Sequence, residues 1–170
     1  EDGSLEIPLF ASDIDGDVLT FSADADDNSS ASVVDNILTV SPAENYNGSL
    51  SITVYVTDGE LIDSTEFNVN IIPVNDAPEI AAISDTSMLE DSYLALELNT
   101  SDVDGDTLLY EIWSDEDFAN LHLHYNYEIY NYIDTLIITP FPNWFGSAEL
   151  YVRVFDDALS DTMNFTLVVE

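Results

Sequence analysis

The feature that most constrains this chain is that it is written twice, in segments whose apolar residues recur every second position. Glu1-Asp2 through Asp13-Ile14-Asp15-Gly16-Asp17 aligns without gaps on Glu90-Asp91 through Asp102-Val103-Asp104-Gly105-Asp106. Asn45-Tyr46-Asn47-Gly48-Ser49 matches Asn143-Trp144-Phe145-Gly146-Ser147. The segment Leu50 to Ile71 then matches Leu150 to Val169, with Asp58 on Asp156 and Phe67 on Phe165. The change of register between these blocks places an insertion in the second copy, around residues 114–134. A repeat of this kind means that one structural unit is used more than once.

Inside each copy the period is two. Leu50, Ile52, Val54 and Val56 alternate with Ser51, Thr53, Tyr55 and Thr57; Phe67, Val69 and Ile71 alternate with Asn68 and Asn70. The second copy repeats this with Leu150, Val152, Val154 and Phe165, Leu167, Val169. Such alternation belongs to strands with one face buried and one wet. Asp-Gly, Asn-Gly and proline-containing turns separate the runs, and no stretch has a helical face. Six or seven short strands per copy predict an all-β chain of two tandem Greek-key β-sandwiches.

The copies meet at Ile71–Pro78, I-I-P-V-N-D-A-P. Pro73 and Pro78 bracket this stretch, so it neither continues a central strand nor starts a helix. The expected organisation is a first domain at 1–74, a linker at 75–77 and a second domain at 78–170. The second copy carries Glu79-Ile80-Ala81-Ala82-Ile83 ahead of Glu90, a candidate first strand; the first copy starts directly at the equivalent of Glu90. That asymmetry fits either an excised piece of a longer array or a subunit whose open edge receives a neighbour's strand.

Charge narrows the partners. Thirty-five acidic residues face a single Lys or Arg, which is Arg153, and the formal net charge is -34. Nothing here can displace the counterions of nucleic acid or attract an anionic membrane. Like charges at this density repel in a compact state, so external cations are expected, although a halophilic or solubility-driven surface would show the same excess. Without cysteine there is neither a disulfide nor a thiolate metal site. No apolar run approaches the ~18 residues that span a bilayer, and the N-terminus lacks a signal-peptide pattern. The sequence thus reads as a mature or excised portion of a longer chain.

The two D-x-D-G-D loops carry the chemistry. Alternate aspartates set carboxylates on one side of a turn that the glycine tightens. Hard oxygen ligands without histidine or thiolate nearby suit calcium, which takes six to eight oxygens. The helix-loop-helix calcium site is excluded: Val18 and Thr107 stand where it needs glycine, Asp24 and Trp113 where it needs glutamate. Asp-Gly turns also form without a metal, and that reading stands beside the calcium one.

Taken together, D-x-D-G-D, N-Y-N-G-S-x-S-x-T-V-x-V-x-D-G and V-N-D-A-P resemble the tandem cadherin-like repeats of large bacterial surface proteins, over essentially the whole chain. The resemblance implies non-enzymatic, extracellular, cell-surface modules stiffened by calcium at the joints, forming part of an adhesin or fibre. It implies Glu1, Asn75, Asp76, Asp102, Asp104 and Asp156 as ligands of one junction, with Asp2 and Asp106 as additions. Half-sites at Asp13, Asp15 and Asp58, and at Glu90 and Asp91, would face neighbouring repeats. Glu44 lies where cadherins carry an acidic triplet, but P-A-E-N departs from that motif.

The insertion, Leu121-His122-Leu123-His124-Tyr125-Asn126-Tyr127-Glu128-Ile129-Tyr130-Asn131-Tyr132, places His122, His124 and Glu128 on one strand face, without an evident third metal ligand beside the histidines. Its tyrosines, with Trp113 and Trp144, could stack on sugars as a calcium-dependent glycan site, or serve as cross-strand pairs and core. Asn28, Asn47, Asn99 and Asn164 begin N-x-S/T, a weak acceptor motif. No catalytic constellation is implied; partners are adjacent repeats, neighbouring subunits or cell-surface glycans, and the carboxylates are absorbed by calcium.

Overall fold

The alternation sets one face of each long apolar run inward: Leu50, Ile52 and Val54, and Leu150, Val152, Val154, Phe165, Leu167 and Val169, are buried, while Phe67, Val69 and Ile71 are half-buried. In the computed structural model, which describes residues 1–124 and 134–170, the chain divides into two units, Glu1–Val74 and Asn75–Glu170. No helix occurs among the described residues.

The first unit contains β1 (Leu5–Pro8), β2 (Thr20–Ala25), β3 (Ser29–Val34), β4 (Ile37–Pro42), β5 (Gly48–Thr57) and β6 (Ile62–Ile71). They form two three-stranded sheets, ordered β1-β4-β3 and β2-β5-β6. The chain changes sheet after β1, β2 and β4. Leu38 and Val40 of β4 pack with Leu50, Ile52 and Val54 of β5, which joins the two sheets in one core. The β3–β4 hairpin turns at Asp35 and Asn36, both at positive φ (50° and 63°). That is the primed geometry which matches strand twist, and it selects Asp and Asn.

The second unit contains β7 (Glu79–Ile80), β8 (Thr86–Met88), β9 (Leu94–Leu98), β10 (Thr100–Ser101), β11 (Leu109–Ser114), β12 (Ala119–His124), β13 (Asp134–Pro140), β14 (Gly146–Phe155) and β15 (Ser160–Val169). Its sheets run β12-β13-β9 and β11-β14-β15-β8, with the short pair β10-β7 beside them. β9, β11, β12, β13, β14 and β15 repeat the pairings of β1 to β6. Each unit is therefore an all-β sandwich of the Ig-like kind, with the second carrying two extra leading strands. β8 lies parallel to β15, Met88 opposite Val169, and β7 pairs with β10, Ile80 opposite Thr100. Ile80 and Met88 enter the same core as Phe118, Leu136, Leu150 and Phe165.

Two sequence readings change in detail. Gly48 pairs with Ile71 and Gly146 with Val169, so Leu50 corresponds to Ala148 and Ile52 to Leu150. The alignment of Leu50 on Leu150 was two residues out. A slip of two keeps every side chain on its face, so periodicity cannot detect it. The lengthening of the second copy is concentrated between β12, which ends at His124, and β13, which begins at Asp134, where the first unit has the turn Asp35–Asn36. Glu128, Tyr127, Tyr130 and the other residues of 125–133 lie outside the described residues.

The N-x-x-G motif also has a structural cause. Asn45 and Asn143 adopt positive φ (56° and 59°), and each donates its backbone N–H to an aspartate at the start of its own unit, Asp2 at 3.3 Å and Asp91 at 3.2 Å. Gly146 follows at φ 148°, with the Trp144 ring 3.3 Å from where a Cβ would stand. In both units an aspartate, an asparagine, an aromatic ring and a glycine close this corner together.

Candidate metal centre

An aspartate in a D-x-D-G-D turn has two competing uses for its oxygens: the backbone amides of its own loop, or a cation. The two loops divide them differently. In the first, Asp13 Oδ1 accepts from the backbone N–H of Asp15 (2.8 Å), Gly16 (2.8 Å) and Asp17 (3.2 Å). That is a self-satisfied turn. In the second, Asp102 Oδ1 accepts from Asp106 N–H at 3.1 Å, while Oδ2 is buried without a hydrogen-bond partner. Oxygens of Asp102, Asp104 and Asp106 lie within 4.8 Å of one another, the one such group of acidic or histidine side chains among the described residues.

The start of the second unit folds onto this loop. Asp76 N–H donates to Asp104 Oδ2 at 2.8 Å, and the Asn75 amide donates to Asp156 Oδ2 at 3.0 Å. Pro78 is buried just beyond, anchoring the segment. Asp156 is 4% exposed, the one fully buried charged side chain among the described residues. Its Oδ1 holds the β14–β15 turn through the backbone N–H groups of Ala158 and Leu159 at 2.5 and 2.6 Å. The Leu159 bond, then the Asn75 amide, then Ala158 hold its carboxyl below the usual range. Asp106 moves the other way: burial first, then the negative charges of Asp102, Asp104, Asp156 and Asp157, push its carboxyl up.

The structure thus brings Asn75, Asp76, Asp102, Asp104 and Asp156 together within the second unit, and adds Asp106. Glu1 and Asp2 stand in the first unit. Glu1 Oε2 accepts from Val74 N–H at 2.6 Å, and Asp2 serves the Asn45 corner. Asp15 is exposed, Asp58 Oδ1 holds its own turn through Glu60 and Leu61 N–H (both 2.7 Å), and Glu90 is exposed. Asp91 has the same corner role as Asp2.

The donor set fits a hard cation. It is all oxygen, it concentrates negative charge, and it leaves one buried carboxylate oxygen unsatisfied, which is costly unless a proton or cation meets it. Arg153 is not available to it: its guanidinium pairs with Glu111 at 3.2 Å and lies over Phe155.

The sequence also missed structural aspartates. Asp26 Oδ2 accepts from Ser51 N–H at 2.9 Å, and Asp115 Oδ1 from Glu149 N–H at 2.8 Å, tying β2 and β11 loops to β5 and β14. Their equivalence in the two copies was the available signal. Trp113 stacks on its cross-strand neighbour Tyr151 at 5.3 Å, and Trp144 packs on buried Phe118 at 4.7 Å. His122 and His124 share the exposed face of β12.

A bacterial Ig domain family model matches residues 1–71, less than half of the chain. That match spans nearly the whole of the first unit and supports an Ig-like repeat there. Among solved structures, an endo-fucoidan hydrolase of glycoside hydrolase family 107 is 21% identical over 99% of this chain and 26% of its own, with a TM-score of 0.44. An I-band fragment of titin is 13% identical, covers 99% of this chain and 60% of its own, and has a TM-score of 0.43. Domains 4 and 5 of an S-layer protein are 15% identical over 87% and 70% of the two chains, at a TM-score of 0.41. The chain spans about a quarter of the length of the fucoidan hydrolases it matches. No curated protein matches it. No helix among the described residues is long and apolar enough to cross a membrane.

Proposed function

We propose that this chain is a non-enzymatic structural module, two cadherin-like repeats stiffened by calcium, within a large extracellular bacterial adhesin or surface fibre. The observation that carries the calcium part is the Asp102–Asp104–Asp106 group with the buried, unpartnered Asp102 Oδ2. Asp102, Asp104, Asp106, Asp156 and the Asn75–Asp76 segment would hold the ion; when bound, it supplies the counter-charge that a chain of net charge -34 lacks. Glu1 is the further ligand that the sequence resemblance implies. The match of residues 1–71 to a bacterial Ig domain model supports the module reading, and such domains are typical of extracellular proteins.

Without calcium, the carboxylates at the second D-x-D-G-D loop repel one another and loosen the Val74–Ala77 segment. With it, the segment is held, and neighbouring repeats act as one stiff spacer. Small-angle scattering of the chain in calcium and in chelator tests this. The proposal expects the maximum dimension and its spread to change between the two conditions. Identical profiles would refute the stiffening.

A further inference from the structure

The outer faces of two equivalent strand pairs differ between the units. In the second, β11 and β14 set Trp113 opposite Tyr151, Glu111 opposite Arg153 and Leu109 opposite Phe155. In the first, the same positions of β2 and β5 hold Asp24 opposite Thr53, Ser22 opposite Tyr55 and Thr20 opposite Thr57. Trp113 is braced from one side. Its ring stacks on Tyr151, centroids 5.3 Å apart and planes 3° from parallel. The Tyr151 hydroxyl bonds Glu149, which in turn accepts from the Asn164 amide. Trp113 nonetheless remains 42% exposed. Against it lies a groove of about 570 Å³, lined by Trp113, Asp115, Glu116, Asp117, Asn120 and Leu121 but not by Tyr151. The groove therefore meets the side of the indole that Tyr151 leaves open.

The walls are held by the fold. β11 and β12 are edge strands of the two facing sheets. The turn between them is pinned by Glu149 N–H to Asp115 Oδ1 (2.8 Å), by Ser114 Oγ to the Glu116 carbonyl oxygen (2.6 Å) and by the fully buried Phe118. The first unit has the corresponding tie, Ser51 N–H to Asp26 Oδ2, and an acidic turn at Asp26-Asp27, but Asp24 where Trp113 stands. The aromatic wall, not the acidity, sets this groove apart.

The neighbouring row shows what a ring beside a carboxylate takes. Arg153 lies 5.2 Å from the centroid of the Phe155 ring and pairs with Glu111 at 3.2 Å. The groove offers the same two elements, a π face and carboxylates, with no basic side chain among the described residues that line it. A guanidinium matches both: it is planar against an indole, forked toward a carboxylate, and more weakly hydrated than an ammonium. Arg153 is already engaged and no other Lys or Arg stands in these 170 residues, so the cation has to come from another molecule.

We propose that the Trp113 groove binds an arginine side chain presented by a partner protein, with the guanidinium on the indole and the carboxylates of Glu116 and Asp117 at its edge. None of these residues belongs to the Asp102–Asp104–Asp106 group, so binding here does not depend on calcium.

The test titrates the full chain with capped Gly-Arg-Gly, Gly-Lys-Gly and Gly-citrulline-Gly peptides, followed by NMR at physiological salt, in calcium and in chelator. Citrulline keeps the planar shape and lacks the charge. The expected result is a saturable shift of the Trp113 indole N–H and the amides of residues 115–120 with the arginine peptide in both conditions, while the Trp144 indole stays in place. The lysine peptide should bind at least about threefold more weakly, and the citrulline peptide should not saturate. Trp113→Leu, and separately Glu116→Gln with Asp117→Asn, should each weaken the arginine peptide at least about threefold without changing the melting curve, whereas Asp102→Asn should leave it unchanged. Shifts spread evenly over the acidic surface, unchanged affinity in Trp113→Leu, equal binding of the lysine or citrulline peptide, or no saturation at tens of millimolar would each overturn the proposal. A stronger saturable shift of the same indole with cellohexaose would make the groove a sugar site and overturn it as well.

Discussion

Asp102→Asn should act in opposite directions with and without calcium. The substitution keeps the volume, and the amide oxygen still accepts from Asp106 N–H as Oδ1 does at 3.1 Å. What it removes is one negative charge within 4.8 Å of two others. Each such pair repels by about 0.9 kcal/mol at the dielectric constant of water and about 3.5 kcal/mol at an effective value of 20. The loop is largely exposed, so the lower figure applies, and relief from two neighbours is worth roughly 1–2 kcal/mol in chelator. That raises the melting temperature of the second unit by several degrees. In calcium the same change removes a charged ligand oxygen, a loss of about 1.5–3 kcal/mol, or roughly 10- to 150-fold in Kd. Calorimetric melting in both conditions, with isothermal titration of calcium, reads both effects. A variant less stable in chelator, with unchanged calcium affinity, would refute the electrostatic reasoning.

Other perturbations address the scaffold. Leu150→Ala empties a fully buried position in β14 and should cost about 2–5 kcal/mol, seen as a lowered denaturation midpoint for the second unit. Gly146→Ala asks a residue with a Cβ to adopt φ 148° against the Trp144 ring at 3.3 Å; a loss of about 1–3 kcal/mol is expected, with altered tryptophan fluorescence. Asp26 is held below its ordinary value of 3.8, chiefly by the Ser51 amide. A depressed native pKa stabilises the fold above the unfolded value and is lost as pH falls through the native one. Acid melting of Asp26→Asn should therefore show a shallower loss of stability below about pH 4 than the parent chain does.

Much of this was legible in the sequence. The period of two in Leu50–Val56 and Phe67–Ile71 could mean only half-buried strands, and the doubled D-x-D-G-D and N-x-x-G blocks declared the repeat. The Asn75–Asp76 segment and the Asp102–Asp106 loop were paired by resemblance, and Asp76 N–H does bond Asp104. Three things were hidden. The offset of two in the β5/β14 alignment preserves every face, so pattern alone was blind to it. The corner roles of Asp2 and Asp91 depend on contacts with Asn45 and Asn143, far away in sequence. The contrast between Asp13, which satisfies itself on three amides, and Asp102, which keeps an oxygen unmet, arises between loops of the same motif; only backbone geometry separates them.

The most direct test of the calcium claim is a residue-resolved NMR titration of the chain with calcium chloride after exhaustive chelation. The account predicts saturable shifts concentrated at the amides of Asn75, Asp76, Asp102 to Asp106 and Asp156 to Leu159, with little change in the β5 and β14 cores. Spectra unaltered at millimolar calcium, or shifts spread evenly over the acidic surface, would contradict it.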